Sequence, residues 1–169
     1  MLIIFAGLPG VGKTSIARAL AQGLGAVFLR IDTIEQVLAD VHADDVVRAD
    51  PGLGYLIAYA LAADNLRLGR TVVADSVNAI DVTRNAWRAV AETAGMPSVE
   101  VEVICSDLAE HRQRVETRLA DIAGQTPPAW AEVEAREHHP WMRDHVIIDT
   151  AGRSLDACLA ELKAALTKF

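Results

Sequence analysis

The sequence predicts an α/β fold, in which a parallel β-sheet carries helices on both faces. Short apolar runs alternate along the chain with longer stretches in which apolar residues recur at helical spacing. The 169 residues are 51% hydrophobic and 23% charged, a composition typical of a compact folded protein. The sequence has no internal repeat and no linker long enough to separate domains, so a single domain is expected over residues 1–169.

The first strand and the first helix flank a glycine-rich loop. Residues 2–6 are a continuous apolar run, which is typical of a central parallel strand. After the loop, apolar residues recur every fourth position and predict a helix, at Ile16, Leu20 and Leu24. Gly25 is expected to end this helix.

The next elements alternate in the same way. A second strand is predicted at residues 27–31, and residues 41–54 are polar with Pro and Gly, which predicts a mobile insertion. A second amphipathic helix is predicted at 55–68, and a third strand at 71–74 runs into Asp75. The helix between the second strand and the insertion has one apolar face, formed by Ile34, Val37, Leu38 and Val41.

The second half of the chain continues this alternation. A helix is expected with Asp81 as its N-cap. The strand at 99–104 alternates apolar residues with glutamates, so one of its faces is expected in water near the sheet edge. Asp107 and Glu110 predict a capping box for a helix that reaches about residue 121. The apolar row of the Asp81 helix is Val82, Ala86 and Val90.

The last elements follow a Gly- and Pro-rich break at residues 124–128. A helix containing Trp130 comes first, with Trp87 of the earlier helix expected in the core. The last strand is predicted at 146–148, and a turn leads to a closing helix for which Ser154 is the expected N-cap. Together these signals give five strands separated by helices.

Composition and charge disfavour several classes of protein. The net charge of −7 argues against non-specific nucleic-acid binding, which needs surplus lysine and arginine. Cys105 and Cys158 are far apart and are expected to be small core residues rather than a disulfide or a metal site. The apolar start has no basic segment, and no apolar run approaches the roughly 20 residues of a membrane span. We therefore expect a cytoplasmic protein.

The glycine-rich loop at residues 7–14 reads GLPGVGKT, the pattern of a phosphate-binding P-loop, or Walker A motif. Its glycines let successive backbone N–H groups approach phosphate oxygens at the positive end of the following helix. Lys13 supplies a charge for the β- and γ-phosphates, and the Thr14 hydroxyl is an expected Mg²⁺ ligand. The structural alternative is a glycine turn with an exposed lysine. The expected nucleotide contacts in this loop are Gly7, Leu8, Pro9, Gly10, Val11, Gly12, Lys13, Thr14 and Ser15.

Residues 149–152 read DTAG, which is similar to the D-x-x-G switch of small GTPases. No guanine-reading N-K-x-D occurs in the chain, so a GTPase is disfavoured and ATP is the expected nucleotide. The alternative interpretation of DTAG is a strand-to-helix turn. Such a turn would lie beside the base of a bound nucleotide, because ligands bind at the carboxyl ends of parallel strands.

Four segments carry a resemblance to the small P-loop kinases of the adenylate-kinase-like group. The chain most resembles bacterial predicted kinases that share a core with polynucleotide 5′-kinase and chloramphenicol phosphotransferase. This resemblance implies a P-loop NTPase three-layer sandwich with a five-stranded parallel sheet in the order 2-3-1-4-5. The four segments are GLPGVGKT, RID at 30–32, VVADSVNAIDVTRNAW at 72–87 and HRQRVETR at 111–118.

The resemblance also implies roles at the acceptor side. Asp32 matches the general base for the acceptor hydroxyl, although it could instead cap the following helix. Asp75 matches an acidic residue that faces the acceptor or the Mg²⁺ shell. Asn78 and Arg84 belong to the same signature and are expected to bind the acceptor, with an Arg84–Asp81 pair as the alternative. The insertion at 41–54 would bind the acceptor too, with Arg48 and Tyr55 as weaker contact candidates.

At the nucleotide side, the resemblance implies a lid over about residues 112–130. Arg114 and Arg118 match lid arginines that close on the ATP phosphates, and Arg118 has the better claim to a catalytic role beside Lys13. An ordinary ion pair with Glu110 would also explain Arg114. Arg153 falls where relatives pack against adenine.

One residue departs from the pattern of polynucleotide kinases. They have an arginine near the position of Glu35, used for the acceptor's phosphate, so Glu35 and the net acidity argue against a polynucleotide acceptor. We therefore expect an ATP- and Mg²⁺-dependent phosphotransferase that acts on a hydroxyl of a small molecule, as a monomer or homodimer without nucleic-acid or membrane partners. Two alternatives stay open: a regulatory nucleotide-binding ATPase, and a toxin-like kinase that modifies a cell-wall precursor or a protein.

Overall fold

A computed structural model describes residues 1–41 and 52–169 of the protein. Within these residues, five parallel strands form one sheet in the order β2-β3-β1-β4-β5, which confirms the predicted fold class and strand order. The strands are β1 (Leu2–Ala6), β2 (Val27–Arg30), β3 (Val72–Asp75), β4 (Ser98–Ile104) and β5 (Val146–Asp149).

Helices connect the strands, and most begin and end within two residues of the predicted bounds. The clearest difference is α5, which ends at Thr117, about four residues earlier than expected. The helices are α1 (Lys13–Leu24), α2 (Ile31–Val41), α3 (Leu53–Arg67), α4 (Asp81–Thr93), α5 (Leu108–Thr117), α6 (Trp130–Glu134) and α7 (Leu155–Leu166). Most of the predicted insertion, with Arg48, lies outside the described residues. Among the described helices, none is long and apolar enough to cross a membrane.

Each face of the sheet has its own apolar core, because alternate residues of β1 point to opposite sides. Ile3 and Phe5 belong to a core with residues of α1 and α7. Leu2 and Ile4 belong to a second core with residues of α3 and α4. The helices therefore cover both faces, as the sequence predicted, and the loops at the carboxyl ends of the strands are left to form a site.

β4 lies towards the sheet edge as predicted, between β1 and the edge strand β5, but the expectation that one of its faces is in water is wrong. Glu100 is buried, and its carboxylate accepts two hydrogen bonds from Arg143 at 2.5 and 2.6 Å. Glu102 and His145 are hydrogen-bonded at 3.0 Å. The segment after α6 thus covers the polar face of β4 with charged partners, which the alternation of residues on the strand alone cannot reveal.

The buried side of α4 also differs from the predicted one. Val82 is exposed, whereas Arg84, Trp87 and Ala91 face the core. Trp87 is fully buried, as expected, but Ile80 rather than Asp81 occupies the N-cap position. A hydrophobic pattern missed this face because one of its members is an arginine.

The predicted apolar face of α2 is not uniformly buried either. Val37 and Val41 are exposed, and Ile31 is the buried residue of this helix. The helix follows β2 without a break, and β3 lies between β2 and β1 in the sheet. The start of α2 and the phosphate loop after β1 therefore lie at the same edge of the sheet, at the carboxyl ends of strands that are not adjacent.

The helix caps follow the sequence more closely. The Asp107 side chain accepts a hydrogen bond from the Glu110 amide at 3.0 Å, and the Ser154 hydroxyl accepts one from the Ala157 amide at 3.3 Å. The Glu110 carboxylate does not complete the predicted capping box. It accepts a hydrogen bond from Arg114 at 2.5 Å and another from the Gly152 amide at 2.8 Å.

Candidate active site

A cleft of about 890 Å³ lies at the carboxyl ends of the central strands. The phosphate loop after β1, the start of α2 after β2, and Val77 after β3 contribute to its walls. Arg114, Arg118 and the segment that follows them line the opposite side. The cleft therefore brings the predicted nucleotide loop, the predicted base and the predicted lid region to one place.

The glycines of the phosphate loop are required by its backbone and by its close neighbours. Gly10 and Gly12 have φ angles of 87° and 92°, in the left-handed region that favours glycine. A Cβ atom on Gly10 would lie 2.4 Å from a methyl carbon of Val115, and one on Gly7 would lie 2.4 Å from the Val103 carbonyl oxygen. Among the described residues, the Gly10 and Gly12 amides donate no recorded hydrogen bond. The loop thus has room and free donors for phosphate oxygens.

Side chains from distant elements hold this loop in place. A ring nitrogen of His111 in α5 lies 2.8 Å from the Pro9 carbonyl oxygen, and the His111 ring packs edge-on against Trp130. The Thr150 hydroxyl lies 2.8 Å from the Val11 carbonyl oxygen. The loop is therefore anchored from both the helix and the turn after β5, which pre-forms the phosphate site.

Lys13 and Asp75 form a buried ion pair beneath the loop. The Lys13 Nζ lies 2.8 Å from Asp75 Oδ1, and Asp75 is 1% exposed. The other Asp75 oxygen, Oδ2, has no hydrogen-bond partner among the described residues, although Arg30 Nε is 3.9 Å away. Thr14 lines the cleft. An under-satisfied carboxylate oxygen and a hydroxyl are the hard oxygen ligands that suit Mg²⁺, so these residues fit the predicted metal site.

Three arginines surround the carboxylate of Asp121 at the side of the cleft. Arg30 donates two parallel hydrogen bonds to its carboxylate, at 2.7 and 2.9 Å. Arg18 donates a third at 3.0 Å, and Arg118 lies 3.6 Å away. The hydrogen bonds from Arg30 hold the pKa of Asp121 well below its usual range. This cluster ties the segment after α5 to the end of β2 and to α1.

Asp32 lies in the first turn of α2, one residue after the helix begins, so the capping alternative is wrong. An acidic residue there is still favoured by the helix dipole. Its carboxylate lies 3.6 Å from Arg30, its side chain is 27% exposed, and it lines the cleft. The predicted base therefore faces the same space as the phosphate loop.

Glu35 and Tyr55 complete the end of the cleft beside Asp32. Burial, followed by the charge of Asp32, raises the pKa of Glu35 to about 7, while the charge of Arg136 lowers it. Burial also raises the pKa of Tyr55. This end of the cleft thus presents two neighbouring carboxyl groups, of Asp32 and Glu35, and the phenol of Tyr55.

Two predicted acceptor contacts are not brought to the cleft wall. The Arg84 guanidinium is buried, donates to the Asn78 and Ala79 carbonyl oxygens at 3.0 and 2.8 Å, and lies over the Trp141 ring. Asp81 is 3.6 Å away, so the ion-pair alternative is present. Arg84 therefore stabilises the loop after β3, and the expected acceptor contact is corrected to this role.

Asn78 is the second predicted acceptor contact that does not line the cleft. Its φ angle is 47°, it is 1% exposed, and its side-chain amide has no hydrogen-bond partner among the described residues. Its backbone amide donates to the Tyr55 hydroxyl at 3.4 Å. Val77 and Tyr55 line the cleft. Contact with the acceptor stays a prediction for Asn78.

Of the three arginines predicted to contact the nucleotide, Arg114 and Arg118 line the cleft and Arg153 does not. Arg118 lines the cleft, and within residues 1–41 and 52–169 its ion pair is the longer one to Asp121, at 3.6 Å. Arg114 also lines the cleft, but its guanidinium is held by Glu110 and by the Thr150 hydroxyl and carbonyl. Arg153 bonds to the Asp149 carbonyl oxygen at 2.9 Å and to Glu161 at 2.6 Å, outside the cleft wall. Its expected contact with adenine stays a prediction.

Sequence reasoning missed the residues that organise the site from a distance, namely Arg18, Arg30, His111, Asp121 and Thr150. Arg30 was visible only as part of the RID segment, and Thr150 only as part of the DTAG turn. Asp121 was assigned to the end of a helix that the structure ends earlier. No local sequence pattern around these residues indicates which distant residue each of them contacts.

The AAA domain model of family AAA_33 matches residues 2–136. Shikimate kinase 2 of Yersinia pestis (strain Pestoides F) is 31% identical over 83 residues, which cover 49% of this chain and 48% of that protein. The chain thus spans about half the length of the curated relatives it matches.

Solved structures share the whole fold at low sequence identity. A candidate kinase from Chloroflexus aurantiacus superposes with a TM-score of 0.74 at 21% identity, covering 99% of this chain and 96% of that one. The APS kinase CysC of Mycobacterium tuberculosis, solved with AMPPNP and APS, has a TM-score of 0.73 at 19% identity, covering 98% and 96%. At these identities the likeness establishes the fold alone.

Proposed function

This chain belongs to the AAA_33 family of AAA domains, and from that membership we propose that it is an ATP-dependent kinase acting on a hydroxyl of a small molecule. The observation that carries the proposal is that the phosphate loop and Asp32 line one cleft. A loop alone would fit any nucleotide-binding protein. A carboxylate that lines the same cleft supplies what a kinase needs in addition, a group that orients and deprotonates an acceptor. The similarity to shikimate kinase 2 supports the same class of reaction.

The phosphate loop would bind the triphosphate of ATP. Free amides at Gly10 and Gly12 and the start of α1 are suited to phosphate oxygens. Lys13, now 2.8 Å from Asp75, would move its charge towards the β- and γ-phosphates. This rearrangement needs only a change of the lysine side chain, because the loop itself is already anchored by His111 and Thr150.

Asp32 would act on the acceptor. As the bond forms between the acceptor oxygen and the γ-phosphorus, the bond from that phosphorus to the β-phosphate oxygen breaks and ADP leaves. The proton of the acceptor hydroxyl passes to the Asp32 carboxylate. Arg30, 3.6 Å from Asp32, would hold this carboxylate in position without being able to accept a proton itself.

Charge at the transferring phosphoryl group would be balanced by Arg118 and by the loop lysine. Thr14 and Asp75 would hold Mg²⁺, which when bound neutralises charge on the phosphate oxygens. Residues 118–128 line one side of the cleft through Arg118, Asp121 and the Gln125–Pro128 stretch. We propose that they form the lid that excludes water during transfer.

The experiment is a transfer assay with a substitution in the loop. Protein and Mg-ATP are added to a small-molecule cell extract, and metabolites that gain a phosphate are identified by mass spectrometry. Wild type should phosphorylate at least one metabolite. Lys13→Ala should reduce both ATP affinity and transfer, by about 10²-fold or more for transfer, the scale of losing one group that stabilises transition-state charge.

Lys163→Ala is the matched control, because Lys163 is an exposed lysine of α7 outside the cleft. It should behave as wild type. Hydrolysis of ATP with no phosphorylated metabolite would contradict the kinase proposal and favour the regulatory ATPase. Unchanged ATP affinity in Lys13→Ala would contradict the nucleotide site itself.

A further inference from the structure

Glu35 occupies a space that the chain leaves open for it. It lies one helical turn after Asp32 on α2 and lines the acceptor end of the cleft. Gly54 in the first turn of α3 faces it, and a Cβ atom at Gly54 would lie 2.6 Å from Glu35 Cγ and 3.3 Å from Oε1. Gly54 has no left-handed φ that would require glycine, and glycine is unfavourable inside a helix. The space needed by the glutamate explains the glycine.

The Glu35 carboxylate has no partner among the described residues, which sets it apart from the other charges in the cleft. No hydrogen bond or ion pair to it is recorded among residues 1–41 and 52–169. By contrast, Lys13 pairs with Asp75, and Arg114 pairs with Glu110. Arg118 is 3.6 Å from Asp121. The cleft therefore contains one carboxyl group whose partner the described chain does not supply.

The charged groups around Glu35 do not compensate for its charge fully. Asp32 on its own helix is a second carboxylate, and Tyr55 from α3 is a phenol. Arg136, after α6, lowers the pKa of Glu35, but burial and Asp32 outweigh it and raise that pKa to about 7. A ligand that brought a positive charge to this position would relieve the cost of ionising Glu35 in a partly buried site.

We propose that the acceptor of the kinase reaction carries a protonated amine close to the hydroxyl that receives the phosphate, and that Glu35 binds this amine. The inference rests on the proposed function and names the chemical class of its acceptor, an amino alcohol or amino sugar. Glu35 is a specificity-determining residue in this scheme, while Asp32 remains the base.

The two carboxyl groups would divide the chemistry of such an acceptor. An ammonium group paired with Glu35 keeps its proton, so its nitrogen has no free electron pair and does not compete for the phosphoryl group. The neighbouring hydroxyl is free to give its proton to Asp32 as its oxygen attacks phosphorus. An anionic acceptor would meet two carboxylates at this end and would be repelled.

The test uses the charge of the unknown acceptor directly. A small-molecule extract is separated by ion exchange at pH 6 into cationic, neutral and anionic fractions. Each fraction is incubated with the full-length protein and γ-labelled Mg-ATP, and transfer that depends on Lys13 is counted. We expect the acceptor activity in the cationic fraction.

Two variants then test whether Glu35 is responsible. Glu35→Gln should raise the KM for the cationic acceptor by at least about tenfold, the scale of one charge-assisted hydrogen bond, with a smaller effect on kcat. Gly54→Ala keeps the carboxylate but displaces it, and should raise the same KM. Glu92→Gln makes the same chemical change on the exposed part of α4 outside the cleft and should leave the KM unchanged.

The pH dependence gives an independent readout. A cation binds the ionised form of Glu35, so the KM of wild type should fall as the pH rises through about 7, the value to which the pKa of Glu35 is raised. Glu35→Gln should remove this dependence. A merely structural glutamate would change stability without producing it.

Each remaining outcome is decisive. Lys13-dependent transfer only to the neutral or anionic fraction would overturn the amine proposal and leave the kinase proposal standing. Transfer to the cationic fraction with an unchanged KM in Glu35→Gln would overturn the role of Glu35. Hydrolysis without transfer to any fraction would overturn the kinase proposal and the inference that rests on it.

Discussion

The two ends of the cleft are built differently. At the phosphate end, charged side chains form ion pairs with each other. Lys13 pairs with Asp75, and Arg30 donates two hydrogen bonds to the Asp121 carboxylate. At the acceptor end, Glu35 has no recorded partner in the described residues, and Asp32 has only Arg30 at 3.6 Å. At the phosphate end, Lys13 and Arg30 thus have carboxylate partners within the described residues, whereas Glu35 at the acceptor end has none.

This difference between the two ends indicates that the acceptor end can determine which molecule is bound. A triphosphate is common to many enzymes, and a pre-formed loop with internal ion pairs can bind it with little reorganisation. An unpaired carboxyl group in a partly buried cleft costs stability until a complementary ligand arrives. The acceptor end is therefore expected to lower the stability of the free protein in exchange for recognition of the acceptor, and substitutions at both ends of the cleft can test this.

The largest effect is expected at Asp32. Asp32→Asn keeps the shape and the first-turn position but removes the group that accepts a proton, so transfer should fall by about 10²-fold or more. ATP affinity and the melting temperature should change little. Transfer and thermal unfolding are measured on the same preparations.

Asp156→Asn is the matched control, because Asp156 is also the second residue of a helix, in α7, and is exposed. It should reproduce any change that comes only from the helix dipole. Near wild-type transfer by Asp32→Asn would discard the base assignment and, with it, this view of the acceptor end.

A smaller effect is expected at the phosphate end, from Thr150→Val. The Thr150 hydroxyl contacts the Val11 and Ile104 carbonyl oxygens at 2.8 and 3.0 Å and accepts from Arg114 at 2.8 Å. Removing it should lower the free energy of unfolding by about 1–2 kcal/mol, the scale of a lost buried hydrogen bond. ATP affinity should fall as well, because the loop loses an anchor. Chemical denaturation and ATP titration measure the two quantities.

Thr167→Val provides the comparison, since its hydroxyl bonds to the Ala164 carbonyl oxygen in an exposed position. It should change neither quantity appreciably. If Thr150→Val weakened the fold without affecting ATP affinity, the claim that distant contacts pre-form the loop would be wrong.

Glu35 should reveal the stability cost of the acceptor end through pH. Its folded pKa is raised to about 7 from an ordinary 4.5, so its contribution is fully favourable below 4.5 and is lost as pH rises through 7. Glu35→Gln should therefore stabilise the protein at pH 8 relative to pH 5, by about 1 kcal/mol after allowance for solvent screening of a partly exposed group. Urea unfolding at both pH values provides the measurement, with Glu92→Gln as the control.

The smallest effect is expected at Asp121. Its pKa is held below the usual range by Arg30, so its contribution to stability is present above the ordinary pKa of an aspartate and is lost as the pH falls further. Because its side chain is 39% exposed, Asp121→Asn should cost less than about 1 kcal/mol at pH 7. Asp64→Asn, at an exposed ion pair with Arg67, is the control. A loss of several kcal/mol would mean that the Arg30 cluster is a main support of the fold.

Much of the architecture could be predicted because it is encoded locally. The apolar run of β1, the glycines of the loop and the caps at Asp107 and Ser154 each specify their conformation within a few residues. The predictions failed where a partner comes from far along the chain. Glu100 looked like a water-facing strand residue because Arg143, which neutralises it, is 43 positions away. Arg84 was assigned to the acceptor from the family resemblance, and its buried carbonyl partners cannot be inferred from helical spacing.

By itself, the sequence determined the parallel sheet, its helices and the phosphate loop, because hydrophobic period, glycine placement and capping act over one or two turns of chain. Which side chains hold the phosphate loop in place, and which side chains lie opposite it in the cleft, depend on the tertiary structure. Arg30 meets Asp121 across 91 positions, and Thr150 meets Val11 across 139. The tertiary structure also decided that Glu35 lies against Gly54. Such pairs depend on where the strands place their carboxyl ends, and no local pattern of residue types records that placement.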